Sequence, residues 1–167
     1  MKTIHVFVVM FVLLLACEQE PKQYFSSAPE IDLAKSNTES YYSGNWEAFR
    51  ANYVDTAKIY HNSTEAITVD EMIMRFKDGL KDVSTYSPKD SIYYEMIVED
   101  DGDHWINMWA TWSATFKNTG EKVEVPYHIT AMIKDGKIIK EFGYWNHLPI
   151  YQALKKSRMQ MDTTNTN

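Results

Sequence analysis

The residue of this sequence that is best suited to acid–base chemistry is His61. It lies in the segment AKIYHN, residues 57–62, where the alternation of a short predicted strand places it on the same side as Ile59. An imidazole exchanges a proton close to neutral pH, so a histidine in a pocket can act as a general base. The competing interpretation is a half-buried structural histidine that is hydrogen-bonded to a neighbour. The residues alone leave both interpretations open.

Tyr127 and Tyr144 are the second candidates, as hydrogen-bond donors. Two-residue hairpin turns at 119–120 and 135–136 define the registers of three predicted strands. In these registers Tyr127 and Tyr144 face each other, and Trp112 lies next to them. A tyrosine hydroxyl in an apolar cavity can donate a hydrogen bond to a carbonyl or to an oxyanion. In the alternative interpretation, both tyrosines are plain pocket walls.

Both hairpin registers select the same face of the sheet, and this face is almost entirely apolar. A slip of one residue in either hairpin would bring polar neighbours beside Trp112, so the agreement supports the face assignment. Asn146 can only orient a ligand by hydrogen bonds, because an amide does not accept a proton at neutral pH. We expect a small ligand to contact six side chains of this face: Met108, Trp112, Tyr127, Phe142, Tyr144 and Asn146.

The opposite face of the predicted sheet mixes aromatic and polar side chains. It carries Trp105, Trp109 and Trp145 together with His128 and Glu141. Such a face is either exposed to solvent or buried against a second copy of the chain. The sequence therefore leaves open a homodimer that forms through the outer face of the sheet.

The elements that position these residues fall into two groups. Three helices are predicted first, over about 31–43, 45–54 and 68–83. Gly44 is placed to end the first helix, Asn45 to cap the second, and Thr68 with Glu71 to form a capping box on the third. Four strands follow from Ser91, separated by turns. Helices followed by an antiparallel meander predict an α+β fold.

The first sixteen residues are typical of a secretion signal. An apolar run, residues 6–16, follows Lys2 and is too short to span a membrane comfortably. The sequence Leu14-Leu15-Ala16-Cys17 resembles a bacterial lipobox, in which the cysteine is lipidated with acyl chains such as palmitate. This resemblance implies a lipoprotein anchored through Cys17 to a membrane of the cell envelope, outside the cytoplasm. The alternative is an ordinary secretory signal with an incidental cysteine.

Composition and motifs exclude several classes of function. The net charge of −6 gives no support to nucleic-acid binding, which normally needs a basic face. No HExxH or CxxC spacing is present, and the acidic turn at 100–103 lacks the pattern of a calcium-binding EF-hand. We therefore expect neither a metal nor a cofactor. Cys17 is the only cysteine, so an intramolecular disulfide is impossible.

The chain divides into four predicted segments. Residues 1–16 form the signal peptide, and 17–29 form a flexible, polar tether. Residues 30–154 form one folded domain, for which the chain length is sufficient. Residues 155–167 are expected to be a disordered tail.

Two stretches of the folded segment carry a family resemblance. YYSGNWEAFRANYVDTAKIYHN near its start and KDGKIIKEFGYWNHLPIYQAL at its end resemble motifs of the nuclear transport factor 2-like superfamily, and of its SnoaL-like, polyketide-cyclase-like members in particular. The resemblance covers about residues 31–154. It implies a cone-shaped, curved antiparallel sheet wrapped around three N-terminal helices, with a pocket at its open end. Dimers through the outer sheet face are common in this superfamily.

The resemblance also bears on two candidate residues. It places His61 where the ketosteroid isomerase relatives carry an aspartate base. Asn146 stands where many SnoaL-like proteins carry aspartate, and this departure argues against cyclase chemistry.

Three functions are compatible with these residues. The first is a membrane-anchored lipoprotein whose pocket binds a small, largely apolar molecule. The second is an enzyme of the lyase or isomerase type, with His61 as general base and Tyr127 or Tyr144 as hydrogen-bond donor. The third is a homodimeric interaction module. Binding and catalysis would use the same pocket, so only the chemistry of the site separates the first two.

Overall fold

One curved sheet of seven strands forms the wall of the fold. The computed structural model describes residues 23–164, with side chains as far as Met161. Along the chain the strands are β1 (Tyr24–Phe25), β2 (Tyr53–His61), β3 (Val83–Pro88), β4 (Tyr93–Val98), β5 (His104–Phe116), β6 (Lys122–Lys134) and β7 (Lys137–Trp145). Their order across the sheet is β1-β4-β5-β6-β7-β2, and β3 also pairs with β5. The predicted signal peptide, residues 1–16, and the lipidation site Cys17 lie outside the described residues.

The α+β class predicted from the sequence is confirmed, but the sheet is mixed and not purely antiparallel. β2 runs parallel to β7 at one edge, whereas the other strand pairs are antiparallel. The sequence pattern does not predict β3, because its segment VSTYSP has little apolar alternation. The sheet remains unclosed between β1 and β2.

The described part of the chain contains four helices: α1 (Pro29–Ser43), α2 (Trp46–Ala51), α3 (Val69–Leu80) and α4 (Leu148–Thr164). The local signals predicted for the first three are confirmed. Gly44 ends α1 with a φ of 69°, a left-handed conformation that glycine adopts without strain. The Asn45 side chain caps α2, and Thr68 forms a capping box with Glu71 at the start of α3. None of the described helices has the length and apolar character needed to cross a membrane.

The disordered tail predicted at 155–167 is wrong for residues 155–164, because α4 continues as far as Thr164. Residues 165–167 lie outside the described residues. Ala153 and Ser157 on this helix are fully buried. Arg158 pairs with Asp82, with Nε 3.0 Å from Oδ2. Small side chains at the contact let the helix pack closely, although its sequence is polar overall. The predicted tether 17–29 is also partly structured, since Tyr24–Phe25 form β1.

The β5–β6 hairpin differs from the prediction in register but not in face. Trp112 pairs with Val125, and Ala110 pairs with Tyr127. The connection is two residues longer than the predicted two-residue turn, so each partner shifts by two positions. Because side chains alternate with a period of two, a shift of two residues keeps every side chain on its predicted face.

The β6–β7 hairpin contains a bulge that reverses the predicted face of β7. Ile133 pairs with Ile138 as predicted, but Met132 pairs with Lys140, which leaves Ile139 as an extra residue. One inserted residue reverses the alternation of everything that follows it on the strand. The inner side of β7 beyond the bulge therefore carries Glu141, Gly143 and Trp145.

The core lies between the inner face of the sheet and the helices, in two clusters. The larger one joins α1–α3 to the sheet around Ile31, Ile59, Met72 and Ile106. The smaller one packs α4 against Phe116 and its neighbours. Residues of both clusters line a single cavity, which therefore lies where the two clusters meet.

Candidate functional site

A cavity of about 240 Å³ separates the sheet from the helices and has predominantly apolar walls. Its sheet wall includes Met108, Trp112, Phe116 and Ile129, and its helix wall includes Phe76. Cavities of this character are the usual binding sites for small molecules. Polar groups reach the cavity at only a few positions, and these positions determine what the site can do.

The first polar group is a pair formed by His61 and Glu141. His61 Nε2 lies 2.7 Å from Glu141 Oε1, and both side chains are buried, with exposed fractions of 9% and 6%. When Nε2–H donates to the carboxylate, the lone pair of the imidazole is on Nδ1. Nδ1 has no hydrogen-bond partner among residues 23–164, and His61 lines the cavity. The imidazole can therefore offer a hydrogen-bond acceptor, or a base, to a ligand.

Glu141 is held in place by a second donor. The Tyr53 hydroxyl donates to Glu141 Oε2 at 2.6 Å. Asn37 Nδ2 donates to the same hydroxyl at 3.0 Å, and Asn52 Nδ2 donates to Asn37 Oδ1 at 3.1 Å. Burial, together with the adjacent negative charge of Glu141, holds the pKa of Tyr53 well above its ordinary value. Both carboxylate oxygens are thus occupied, so Glu141 acts by orienting His61.

Close packing fixes the position of the His61 ring. The ring stacks on Phe76 at a centroid distance of 5.8 Å and meets Trp145 edge-on at 5.1 Å. On a third side it lies against Gly143 of β7, where a Cβ atom would be 2.7 Å from His61 Cδ2. That distance is shorter than any normal contact between carbon atoms. The absence of a side chain at position 143 is therefore necessary for the observed position of His61.

A pair of tyrosines forms the second polar group. The hydroxyl oxygens of Tyr42 on α1 and Tyr127 on β6 lie 3.4 Å apart, and both residues line the cavity. Only one of the two hydroxyl hydrogens can be used in this contact, so the other can point to a ligand. Burial raises the pKa of Tyr42 to about 12 and that of Tyr127 further. Both hydroxyls consequently remain protonated donors at neutral pH.

The structure separates the predicted contact residues into two groups. Met108, Trp112 and Tyr127 line the cavity, and so does His61. Phe142 and Tyr144 were predicted on the same face, and this placement is wrong, because the bulge in β7 turns them outward. Phe142 stacks on Tyr60 outside the cavity, at 4.9 Å, and Tyr144 is 52% exposed.

Asn146 also lies away from the cavity lining. It is exposed, and its Oδ1 accepts a hydrogen bond from the Leu148 amide at the start of α4. The amide side chain thus has a local structural role and does not orient a ligand in the cavity.

The outer face of the sheet likewise differs from the prediction in part. Trp105 and Trp109 face outward as predicted, and Trp109 stacks on His128 with a centroid distance of 4.7 Å. Trp145 and Glu141 were predicted on this face and lie on the inner side. The same bulge is the cause in both cases.

Sequence reasoning missed three residues of the site: Glu141, Tyr53 and Tyr42. Glu141 was assigned to the outer face because the predicted β6–β7 register contains no bulge. Its partners, Tyr53 and His61, come from β2, which is distant in sequence and joins β7 by a parallel pairing. The YY pair at 41–42 gave no indication of which hydroxyl faces the sheet.

Three acidic side chains outside the cavity lie close enough together to hold a metal ion. Within the described residues, Glu99, Asp101 and Asp103 bring oxygen atoms within 4.8 Å of one another. The group lies at the exposed turn between β4 and β5, where acidic side chains are common without an ion.

Comparison with solved structures reveals the same fold in other proteins. A SnoaL-like candidate polyketide cyclase from Jannaschia sp. superimposes with a TM-score of 0.61 at 13% identity, covering 82% of this chain and 97% of that one. A nuclear transport factor 2-like protein from Burkholderia xenovorans gives 0.60 at 9% identity, covering 78% and 99%. A candidate isomerase from Bacillus subtilis gives 0.58 at 15% identity, covering 76% and 93%.

These similarities show that the chain shares its fold with nuclear transport factor 2-like and SnoaL-like proteins, in agreement with the resemblance seen in the sequence. The sequence matches no known family profile. It also matches no curated protein. At identities this low the fold alone is shared, and one fold carries many activities.

Proposed function

We propose that this protein binds a small, largely apolar molecule in the cavity between the sheet and the helices. The observation that carries the proposal is the cavity itself, about 240 Å³ with mainly apolar walls and few polar groups. An apolar cavity of roughly 150 Å³ holds benzene, so this one has room for a ring with a short chain. Polar contacts from His61 and from the Tyr42–Tyr127 pair would set the orientation of the ligand.

Ligand titrations of the purified protein test this proposal. Benzylacetone, an uncharged ring with a short ketone chain, should change the fluorescence of Trp112 and Trp145, which line the cavity. Ala34→Phe should fill the cavity from α1 and weaken binding at least ten-fold. Ala51→Phe, at an exposed position outside the lining, is the matched control and should bind normally. Equal affinity in the two variants would place the ligand elsewhere and overturn the proposal.

We further propose that the folded domain is held at a membrane of the cell envelope by lipid on Cys17. The support is the sequence Leu14-Leu15-Ala16-Cys17 after an apolar run of signal-peptide length. Acyl chains on the mature N-terminus would provide the attachment, since the net charge of −6 disfavours electrostatic docking on anionic lipids. Cys17→Ser should release the protein into the soluble fraction. A variant that stays in the membrane fraction would contradict the anchor.

A specific observation favours a second candidate, an enzyme of the lyase or isomerase type. His61 pairs with a buried carboxylate through Nε2, its Nδ1 has no hydrogen-bond partner among residues 23–164, and the residue lines an apolar cavity. This arrangement suits a general base. Nδ1 would take a proton from the carbon next to a ligand carbonyl, and the C–H electron pair would move into the carbonyl to form an enolate. A hydroxyl of the Tyr42–Tyr127 pair would donate a hydrogen bond to the enolate oxygen. Tyr144, the other predicted donor, is excluded by its outward position.

Isotope exchange separates catalysis from simple binding. In deuterated water, a base in the cavity should exchange the protons next to the carbonyl of benzylacetone, and proton NMR would follow their loss. His61→Gln should remove the enzyme-dependent exchange while retaining binding. His128→Gln, on the outer face, is the matched control and should exchange at the wild-type rate. Binding without exchange in the wild-type protein would leave the binding function and eliminate the enzyme.

A homodimer that forms through the outer face of the sheet stays a prediction. Trp109 is 39% exposed there and Tyr144 is 52% exposed. Exposed aromatic side chains of this kind are enriched in protein interfaces.

A further inference from the structure

The residues that line the cavity include two that are exposed to solvent. Of all the residues that line it, only Arg75 on α3 and His147 before α4 have exposed side chains. Gly79, one turn after Arg75, and Ile150 on α4 also line the cavity. We call these four lining residues, Arg75, Gly79, His147 and Ile150, the rim.

Gly79 leaves space at the rim. Its φ is not in the left-handed region, and a Cβ at this position would meet no atom within 4 Å. Neither backbone conformation nor close packing therefore requires glycine here, although glycine within a helix is unfavourable relative to alanine. What its missing side chain does provide is free space at the cavity lining, one turn along α3 from Arg75.

The charge at the rim is positive in a chain that is acidic overall, with a net charge of −6. Glu141 is the only carboxylate among the lining residues, and both of its oxygens are occupied by His61 and Tyr53. Arg75 forms no ion pair within residues 23–164. Glu71, one turn earlier on α3, interacts with Arg75 only through space, because its carboxylate is bonded to Thr68.

We propose that the ligand is an amphipathic carboxylate whose anionic group lies against Arg75 while its apolar part enters the cavity. This inference rests on the proposed binding function and specifies the chemical class of its ligand. A guanidinium binds a carboxylate through two parallel hydrogen bonds, and a rim position spares the anion from burial. His147, the other exposed residue of the lining, can donate a hydrogen bond to the ligand. The cavity size corresponds to a ring with a short chain, such as an arylalkanoate.

A matched pair of ligands tests the role of charge. Hydrocinnamate and hydrocinnamamide have nearly the same shape and differ in the charge of the terminal group. The wild-type protein should bind the carboxylate about five-fold more tightly at low salt, and the difference should shrink as salt is added. Isothermal titration calorimetry gives both affinities with the same protein sample.

Two substitutions on α3 test whether Arg75 is responsible for the preference for the carboxylate. Arg75→Gln should abolish the preference for the carboxylate, so that the two compounds bind with equal affinity. Lys77→Gln, which removes an exposed charge outside the cavity lining, should keep the preference. Both positions are exposed, so folding is not at risk, and circular dichroism would verify it. Gly79→Leu should weaken binding of both ligands by filling the space at the rim.

The outcomes separate this inference from the function on which it rests. Equal affinity of the wild-type protein for the two compounds, or an equal loss of preference in both variants, overturns the role of Arg75 and retains apolar binding. Failure of both compounds to bind the wild-type protein overturns the inference together with the binding function.

Discussion

Gly143 on β7 lies directly against the imidazole of His61 on β2. A Cβ atom at position 143 would be 2.7 Å from His61 Cδ2, and also 2.8 Å from Ile129 Cδ1 and 2.8 Å from the Trp145 ring. The parallel pairing of β2 with β7 brings the two residues together, since His61 and Gly143 are register partners. The position of the candidate base therefore depends on a missing side chain on the neighbouring strand.

Gly143→Ala should displace His61 from Glu141. A methyl group at this position has no space, because the three nearest groups are the His61 ring, the half-buried Ile129 and the Trp145 ring. We expect a loss of about 1–3 kcal/mol in the free energy of unfolding, measured with urea. The NMR signals of the His61 ring should shift strongly at the same time.

Gly136→Ala is a useful contrast to this substitution. Gly136 has a φ of 70°, and a Cβ there would meet nothing within 4 Å, so any cost would come from the backbone alone. The His61 signals should stay unchanged in this variant. Unchanged His61 signals in Gly143→Ala would show that the strand can move aside and would contradict the steric argument.

Tyr53→Phe should destabilise the protein through Glu141. The substitution removes the donor to a buried carboxylate oxygen and the acceptor for Asn37 Nδ2. Removing a hydrogen bond from a buried charged group lowers the free energy of unfolding by about 1–3 kcal/mol, and by more when no water replaces the donor. Urea unfolding would measure the loss. Tyr93→Phe, at a residue that is 59% exposed, should change the free energy of unfolding by less than about 0.5 kcal/mol.

The helices and the turns were predictable because their signals are local. Gly44 ends α1, and Thr68 with Glu71 caps α3, as the sequence indicates. The shift in the β5–β6 hairpin did not change the predicted faces, because it moved the register by two residues and kept Trp112 and Tyr127 on the inner face. Local chemistry and the period of two thus determine much of the sheet wall without any knowledge of tertiary structure.

The polar centre of the site was not predictable in the same way. In β7, KIIKEFGYW has apolar side chains on both faces, so its alternation does not reveal the bulge at Ile139. The burial of Glu141 depends on donors from Tyr53 and His61, about 80 residues earlier in the chain. A pairing of this kind is a tertiary property, and a single sequence gives no local sign of it.

The free energy of unfolding should fall as the pH rises above about 10. Tyrosines of the unfolded chain ionise near pH 10, whereas burial raises the pKa of Tyr42 to about 12 and that of Tyr53 well above its ordinary value. Between the unfolded and folded pKa values the folded state holds more protons, so rising pH favours unfolding. A fully buried tyrosine lowers the free energy of unfolding by about 1.4 kcal/mol per pH unit in this range. The partly buried Tyr42 contributes less.

Urea unfolding at a series of pH values from about 8 to 11 measures this slope. Tyr53→Phe should reduce the steepness above about pH 10, because one titrating hydroxyl is removed. Tyr24→Phe, at a residue that is 61% exposed, should leave the slope unchanged. A slope that is the same in all three proteins would show that Tyr53 ionises equally easily in the folded and unfolded states.

Ser157→Ala should stabilise the protein. Ser157 lies on α4 with no exposed surface, and its hydroxyl has no hydrogen-bond partner among the described residues. An unsatisfied buried hydroxyl costs about 1–3 kcal/mol, and alanine is also the better helix former. We expect a gain of about 1–2 kcal/mol in the free energy of unfolding, visible as a rise of several degrees in Tm.

Ser40→Ala is the matched control for this gain. Ser40 is also a buried serine on a helix, but its hydroxyl donates to the Ser36 carbonyl at 2.8 Å. Removing a satisfied hydroxyl loses a hydrogen bond worth about 1 kcal/mol, and this loss offsets the gain in helix propensity. Thermal unfolding of the two variants should therefore differ by roughly 1 kcal/mol or more in favour of Ser157→Ala. If both variants change equally, a water or a shifted rotamer satisfies the Ser157 hydroxyl, and the close packing of α4 has a different energetic basis.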